Sequence, residues 1–152
     1  MTGCATGIAF AGKSSLYKID CKTGLVHRFI IDPFNVGTWS GSYQNQKASG
    51  ITGDKSDNLW IHDNRNIFVW ESNKWQTNEL PGKKTLPKQI AAGESEHVYA
   101  VTTSNEIFRF ATFDWIKIPK VRASTIAVGK NGRIFITYAN GKILRSIWDG
   151  ES

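Results

Sequence analysis

A block of roughly forty residues recurs four times along this chain, and a period of that size limits the fold more than any other feature. Each block opens with a short apolar strand ending at glycine. Two further apolar strands follow, separated by a polar turn. The first block reads Ile8-Ala9-Phe10-Ala11-Gly12, Leu16-Tyr17-Lys18-Ile19 and Val26-His27-Arg28-Phe29. The second reads Ile51-Thr52-Gly53, Leu59-Trp60-Ile61-His62 and Ile67-Phe68-Val69-Trp70. The third reads Ile90-Ala91-Ala92-Gly93, Val98-Tyr99-Ala100-Val101 and Ile107-Phe108-Arg109-Phe110. The fourth reads Ile126-Ala127-Val128-Gly129, Ile134-Phe135-Ile136-Thr137 and Ile143-Leu144-Arg145-Ser146. The pairs Leu16-Tyr17, Leu59-Trp60, Val98-Tyr99 and Ile134-Phe135 step by 43, 39 and 36 residues. A tryptophan follows each third strand, at Trp39, Trp75, Trp115 and Trp148.

Four short strands per block predict an all-β fold, a small β-propeller of about four four-stranded antiparallel blades. Blade strands are covered on both faces, so their middle strands read as continuous apolar runs rather than alternating ones. Ile67-Phe68-Val69-Trp70 and Val98-Tyr99-Ala100-Val101 are of that kind. The turns Asn64-Arg65-Asn66, Ser104-Asn105-Glu106 and Asn140-Gly141-Lys142 carry residues that tolerate positive φ. The expected blades are 7–46, 47–82, 86–119 and 122–150, in a single domain covering 1–152. The stretch from Asp32 to Ser49, rich in Gly, Ser, Asn and Gln, is read as the outer strand of the first blade with an extended loop. A four-bladed ring closed within one chain is the expected assembly, so a monomer is favoured and a dimer is the alternative.

Composition narrows the function. At 152 residues with 40% hydrophobic and 21% charged side chains, the chain has a globular make-up. No apolar run is long enough for a membrane span. The N-terminal residues lack the basic and apolar regions of a signal peptide. Two cysteines, Cys4 and Cys21, suggest no disulfide framework, and a reduced setting is the default. The expected location is therefore cytoplasmic, or outside after release without a signal peptide. The net charge of +6 admits an anionic partner without naming one.

The pattern Trp-x-x-Ile-Pro, Ile-x-x-Gly, aliphatic–aromatic, Asn-Gly-x-Ile-aromatic-Arg resembles the tectonin (TECPR-type) repeat. The closest stretches are Trp115-Ile116-Lys117-Ile118-Pro119, Ile126-Ala127-Val128-Gly129, Ile134-Phe135 and Asn140-Gly141-Lys142-Ile143-Leu144-Arg145. The second block departs, with Val69 where Arg109 and Arg145 stand, and the first lacks a clear Trp-x-x-Ile-Pro. The resemblance implies recognition of a glycan, often bacterial lipopolysaccharide, or alternatively protein interaction.

Catalytic signatures are absent from the sequence. His27, His62 and His97 are spaced 35 residues apart but fall at different places in the repeat, so no metal site is expected. Neither a GxSxG, a P-loop nor an HExxH occurs. Loop carboxylates such as Asp54 with Asp57 and Glu94 with Glu96 leave a propeller hydrolase as a third reading. No cofactor is expected. Lys83, Lys84, Lys88, Lys117, Lys120 and Arg122 form a candidate basic edge suited to lipopolysaccharide phosphate or an acidic protein. Nucleic acid is not expected, because the aromatics are committed to strands. The recurring Trp75, Trp115 and Trp148 and the column Arg28, Arg109 and Arg145 read as packing between blades.

The first functional reading is a non-catalytic lectin with sugar sites between blades or on the loop face. Its expected contacts are Trp60, His62, Asn64, Trp70, Asn105 and Asn140. The second is a protein-interaction propeller, favoured by the divergence of the loops Asp54-Lys55-Ser56-Asp57-Asn58, Glu94-Ser95-Glu96-His97 and Lys130-Asn131-Gly132-Arg133, which suggests one unique site.

Overall fold

The computed structural model describes residues 4–12, 15–93, 97–129 and 132–146, and among them every regular element is a β-strand. The first sheet holds β1 (Ala5–Ala11), β2 (Ser15–Asp20), β3 (Leu25–Ile31) and β4 (Gly37–Lys47). The second holds β5 (Gly50–Gly53), β6 (Leu59–His62), β7 (Ile67–Glu71) and β8 (Lys74–Asn78). The third holds β9 (Pro87–Ala92), β10 (Val98–Thr102), β11 (Glu106–Ala111) and β12 (Asp114–Arg122). The fourth holds β13 (Thr125–Val128), β14 (Ile134–Thr137) and β15 (Ile143–Ser146). Each sheet is a sequential antiparallel meander. The architecture is the expected β-propeller of four antiparallel blades. Trp148 lies outside the described residues, as do Glu94 and Glu96, Lys130 and Asn131, and the end of the fourth block.

Strand identity follows from burial on two sides. All four residues of β6 and all five of β10 are buried. Side chains that alternate along a middle strand enter two different cores. Leu59 and Ile61 pack toward the first blade with Tyr17 and Val26. Trp60 packs toward the third with Val98, Ala100 and Phe108. Tyr99 and Val101 pack toward the fourth with Ile126, Ile134 and Ile136. The three contacts are thus copies of one another. Burial of about twenty such apolar side chains is the main favourable term in holding the blades together.

Two of the glycines that close a first strand, Gly53 and Gly93, mark where inner strands approach. A Cβ on Gly53 would lie 1.9 Å from the Phe10 carbonyl oxygen and 2.5 Å from the Ala11 Cα. A Cβ on Gly93 would lie 2.8 Å from the Val128 carbonyl oxygen. These backbone atoms cannot swing aside as a flexible side chain does, so Gly53 and Gly93 record inner-strand contact between successive blades.

Two expectations are corrected. Cys4 and Cys21 form a disulfide, with Cα atoms 5.5 Å apart. The pairing of β1 with β2, shifted between Ala5 and Gly7, brings the start of β1 beside the β2–β3 turn. Seventeen residues of sequence therefore collapse to neighbours, which spacing alone did not reveal. Among the described residues the ring also does not close on itself. Inner strands pack β1 on β5, β5 on β9 and β9 on β13. Among the described residues no comparable packing joins the fourth sheet to the first, so the blades form an open arc.

Candidate functional site

The β-turns fix the geometry of the two loop faces. Asp20, Asp32, Asp54 and Asp63 each turn a carboxylate oxygen onto backbone N–H groups two to four residues ahead. Such turns fold the loop back without help from the rest of the protein. Asp54 does more. Its Oδ2 accepts a hydrogen bond from the Trp60 indole Nε1 at 2.9 Å and another from the Asn58 amide at 3.0 Å. This carboxylate ties the loop between β5 and β6 to the core.

The six residues expected to contact ligand divide into separate groups. Trp60 is buried between the second and third blades, with its ring 5.1 Å from that of Phe110 and 6.4 Å from that of Trp115. Trp70 packs on the other face of the second blade against Tyr43 and Trp75. His62 is buried, and its Nδ1 lies 2.8 Å from the Asp63 carbonyl oxygen. Burial lowers its pKa below the ordinary histidine value, against the opposing pull of Asp63. Asn64 is exposed in the β6–β7 turn and accepts a hydrogen bond from the Ser49 hydroxyl at 3.2 Å. Asn105 and Asn140, in the equivalent turns of the third and fourth blades, come together. They line one shallow groove of about 340 Å³ with Arg122, Ser124 and Tyr138.

The aromatic and arginine columns are cross-strand partners. Tyr17 pairs with Arg28 and Tyr99 with Arg109. The Arg28 guanidinium sits 6.0 Å from the Tyr17 ring and donates to the Ser15 hydroxyl at 3.1 Å. Trp115 is buried with its indole N–H lacking a partner among the described residues.

Two further grooves follow the seams between blades. One, of about 470 Å³, runs between the third and fourth blades and is lined largely by Ile107, Ile116, Ile118, Ile134, Ile136 and Leu144. By repeat position it corresponds to the seats that Trp75 and Trp115 fill in the preceding two contacts. It is a continuation of blade packing.

The other groove, of about 300 Å³, opens between the second and third blades. Trp60, Val69, Val98 and Phe110 form its apolar floor. Asp54, Asn58, Glu71, Gln76 and Asn78 supply polar walls. Among the described residues two carboxylates and no basic side chain line it, so it favours a cation in spite of the chain's net charge of +6. Phe113 stands at its rim and is 92% exposed.

Phe113 was not expected from the sequence. It sits in the two-residue turn between β11 and β12, where Ala111 pairs with Asp114. Thr112 and Phe113 have φ of 53° and 72°. The matching turn of the second blade uses Ser72 and Asn73, at φ of 51° and 62°. Asparagine and glycine suit such turns, whereas a β-branched or bulky residue at positive φ is strained. The available signal was this substitution of a bulky pair for a small polar one at the same place in the repeat.

No protein-family profile matches the chain, and neither does any curated protein. Solved structures do resemble it. YCF48 from Cyanidioschyzon merolae overlays 99% of this chain and 53% of its own length, with a TM-score of 0.69 and 13% identity. YCF48 also has a structure bound to a D1 peptide. The WD40 β-propeller domain of Doa1 overlays 97% of this chain and 52% of that one, at 0.64 and 11% identity. Virginiamycin B lyase from Staphylococcus aureus overlays 91% and 54%, at 0.61 and 16% identity. The chain is thus a β-propeller by fold, spanning about half the length of these similar propellers. An enzyme stands beside a WD40 domain in that group, so shape alone does not assign chemistry.

Proposed function

We propose that this chain is a non-catalytic protein-interaction propeller that takes an extended peptide segment in the groove between its second and third blades. The observation that carries the reading is Phe113. A phenylalanine held at positive φ costs the fold on the order of 1–3 kcal/mol. It also leaves a large aromatic surface in water. A side chain that costs stability twice, at the mouth of a groove with an apolar floor, is suited to clamp a partner. The two carboxylates in the walls favour a segment with a lysine or arginine beside an apolar residue. The peptide held by YCF48, a protein of similar fold, supports a peptide as the ligand class. The disulfide at Cys4 and Cys21 favours release from the cell over the cytoplasm.

The test is selection from a displayed peptide library, followed by titration of the enriched peptides against variants. Replacing Thr112-Phe113 by Asn-Gly relieves the turn and removes the clamp. The expected result is a higher melting temperature with affinity lower by about tenfold or more. Glu71→Lys is expected to weaken basic peptides in particular. Peptide binding indifferent to both changes, or no enrichment at all, would sink the proposal.

The tectonin-like lectin reading comes second. It rests on the groove that gathers Asn105, Asn140, Arg122 and the partly exposed Tyr138, since amides and a guanidinium beside an aromatic face suit a sugar. Salt-resistant binding on a glycan array, lost in Tyr138→Ala, would put it first.

A further inference from the structure

Among the described residues the open arc leaves two sheet faces without the partner that every other blade face has. In each blade one aromatic looks toward the blade that follows. Tyr17, Trp60 and Tyr99 are 5%, 4% and 1% exposed there, whereas Phe135, the same residue of the fourth blade, is 37% exposed. Ile143 shows the same contrast. Ile67 and Ile107 are fully buried at its position, while Ile143 is 73% exposed. Thr125 and Ala127 are exposed beside them.

The first blade carries the complementary face. Ala9, Ala11, Tyr17 and Ile19 point toward the second blade, so Ile8, Phe10 and Leu16 point the other way. Ile8 and Phe10 are each 63% exposed. Their counterparts in later blades, such as Ile90 and Ile126, are buried against the preceding blade. Lys18, which shares this face, is neutralised within its own blade by Asp20 at 3.9 Å and covered by the Trp39 ring at 4.8 Å. Its cross-strand partner His27 lies on the same face, with Nδ1 2.7 Å from the Ser40 carbonyl oxygen, so the exposed part of the first-blade face is the apolar pair Ile8 and Phe10.

We infer that a second copy of this chain covers both faces, the fourth blade of each copy packing on the first blade of the other. The contact continues an interface the chain already makes three times. It joins the surface after the aromatic column to the surface before the inner strand. Such a head-to-tail contact yields a filament unless the rotation closes. Closure is supported by length, because the arc overlays about half of each of three other propeller chains. Two arcs complete one ring of eight blades, and each copy carries its own peptide groove.

Light scattering across the micromolar range tests this on the full chain. The expected mass is twice the 17.0 kDa of one copy. Phe135→Glu spoils the fourth-blade face and Phe10→Glu the first-blade face. Each variant alone is expected to dimerise more weakly by about tenfold or more. Mixed together they regain a dimer, because one of the two contacts in the mixed pair is then wild type on both sides. Circular dichroism and thermal melts establish that each variant folds. Ile143→Glu replaces Phe135→Glu if that variant does not. A wild-type monomer throughout the range overturns the inference. So does a single variant that remains fully dimeric, since it would place the contact between two like faces. Failure to rescue on mixing overturns it as well.

Discussion

Gly53 and His62 show how single residues carry the constraints of the repeat. The Phe10 carbonyl and Ala11 Cα occupy the space into which a side chain at Gly53 would grow. Gly53→Ala should therefore push the first two blades apart and cost about 1–3 kcal/mol, measured as a lower denaturant midpoint with an unchanged slope. His62 is a different case, a titratable ring sealed beneath the loop face. Its ring also fills the space a Cβ on Gly50 would need. Burial holds its folded-state pKa below the 6.5 of an ordinary histidine. The neutral ring is thus favoured by the fold, and its contribution is complete above the unfolded pKa. That contribution is lost as pH falls from there through the lowered folded value, with a slope of at most about 1.4 kcal/mol per pH unit. Melting curves between neutral and mildly acidic pH should show this loss. His62→Gln should flatten it.

At the level of strands and turns, the disulfide staples the start of β1 to the β2–β3 turn. The cysteines are exposed at the edge of one blade, so the effect of removing them should be local. Cys4→Ser with Cys21→Ser is expected to lower stability by about 3 kcal/mol or less. Alkylation of the unfolded protein, followed by mass measurement, should find two thiols after reduction and none before. Strand composition made the blades readable: the apolar runs around Trp60 and Tyr99 have cores on both sides, and the asparagine turns mark the hairpins. The closing glycines were visible too, although the cause at Gly53 and Gly93, contact with the neighbouring backbone, belongs to the assembled arc. Less could be read of the site. Trp60 lies in the wall between two blades, and only three-dimensional packing decides whether such an indole meets a ligand or a neighbour. Asn105 and Asn140 belong to different blades, so their meeting depended on how those blades splay. Phe113 was passed over because a turn residue draws attention when it is small.

Across the whole molecule, closure is the property that local signals did not carry. Each block specifies a sheet and two faces, and nothing within a block counts how many neighbours complete the circle. Repeat architectures of this kind behave as chains of nearest-neighbour contacts. The two middle blades have a neighbour on each side, and the end blades have one. Local opening should therefore start from the ends. Backbone amides of β14 should exchange with deuterium faster than those of β6 and β10, even though the β14 amides are paired within their own sheet. The first blade should be slower than the fourth, because its disulfide removes part of the entropy gained on opening. Addition of a second arc turns both ends into interior positions. Exchange from β14 should then slow as the protein is concentrated, while exchange from β6 and β10 stays the same. The rate at which one strand gives up its protons would thus report how much company the molecule keeps.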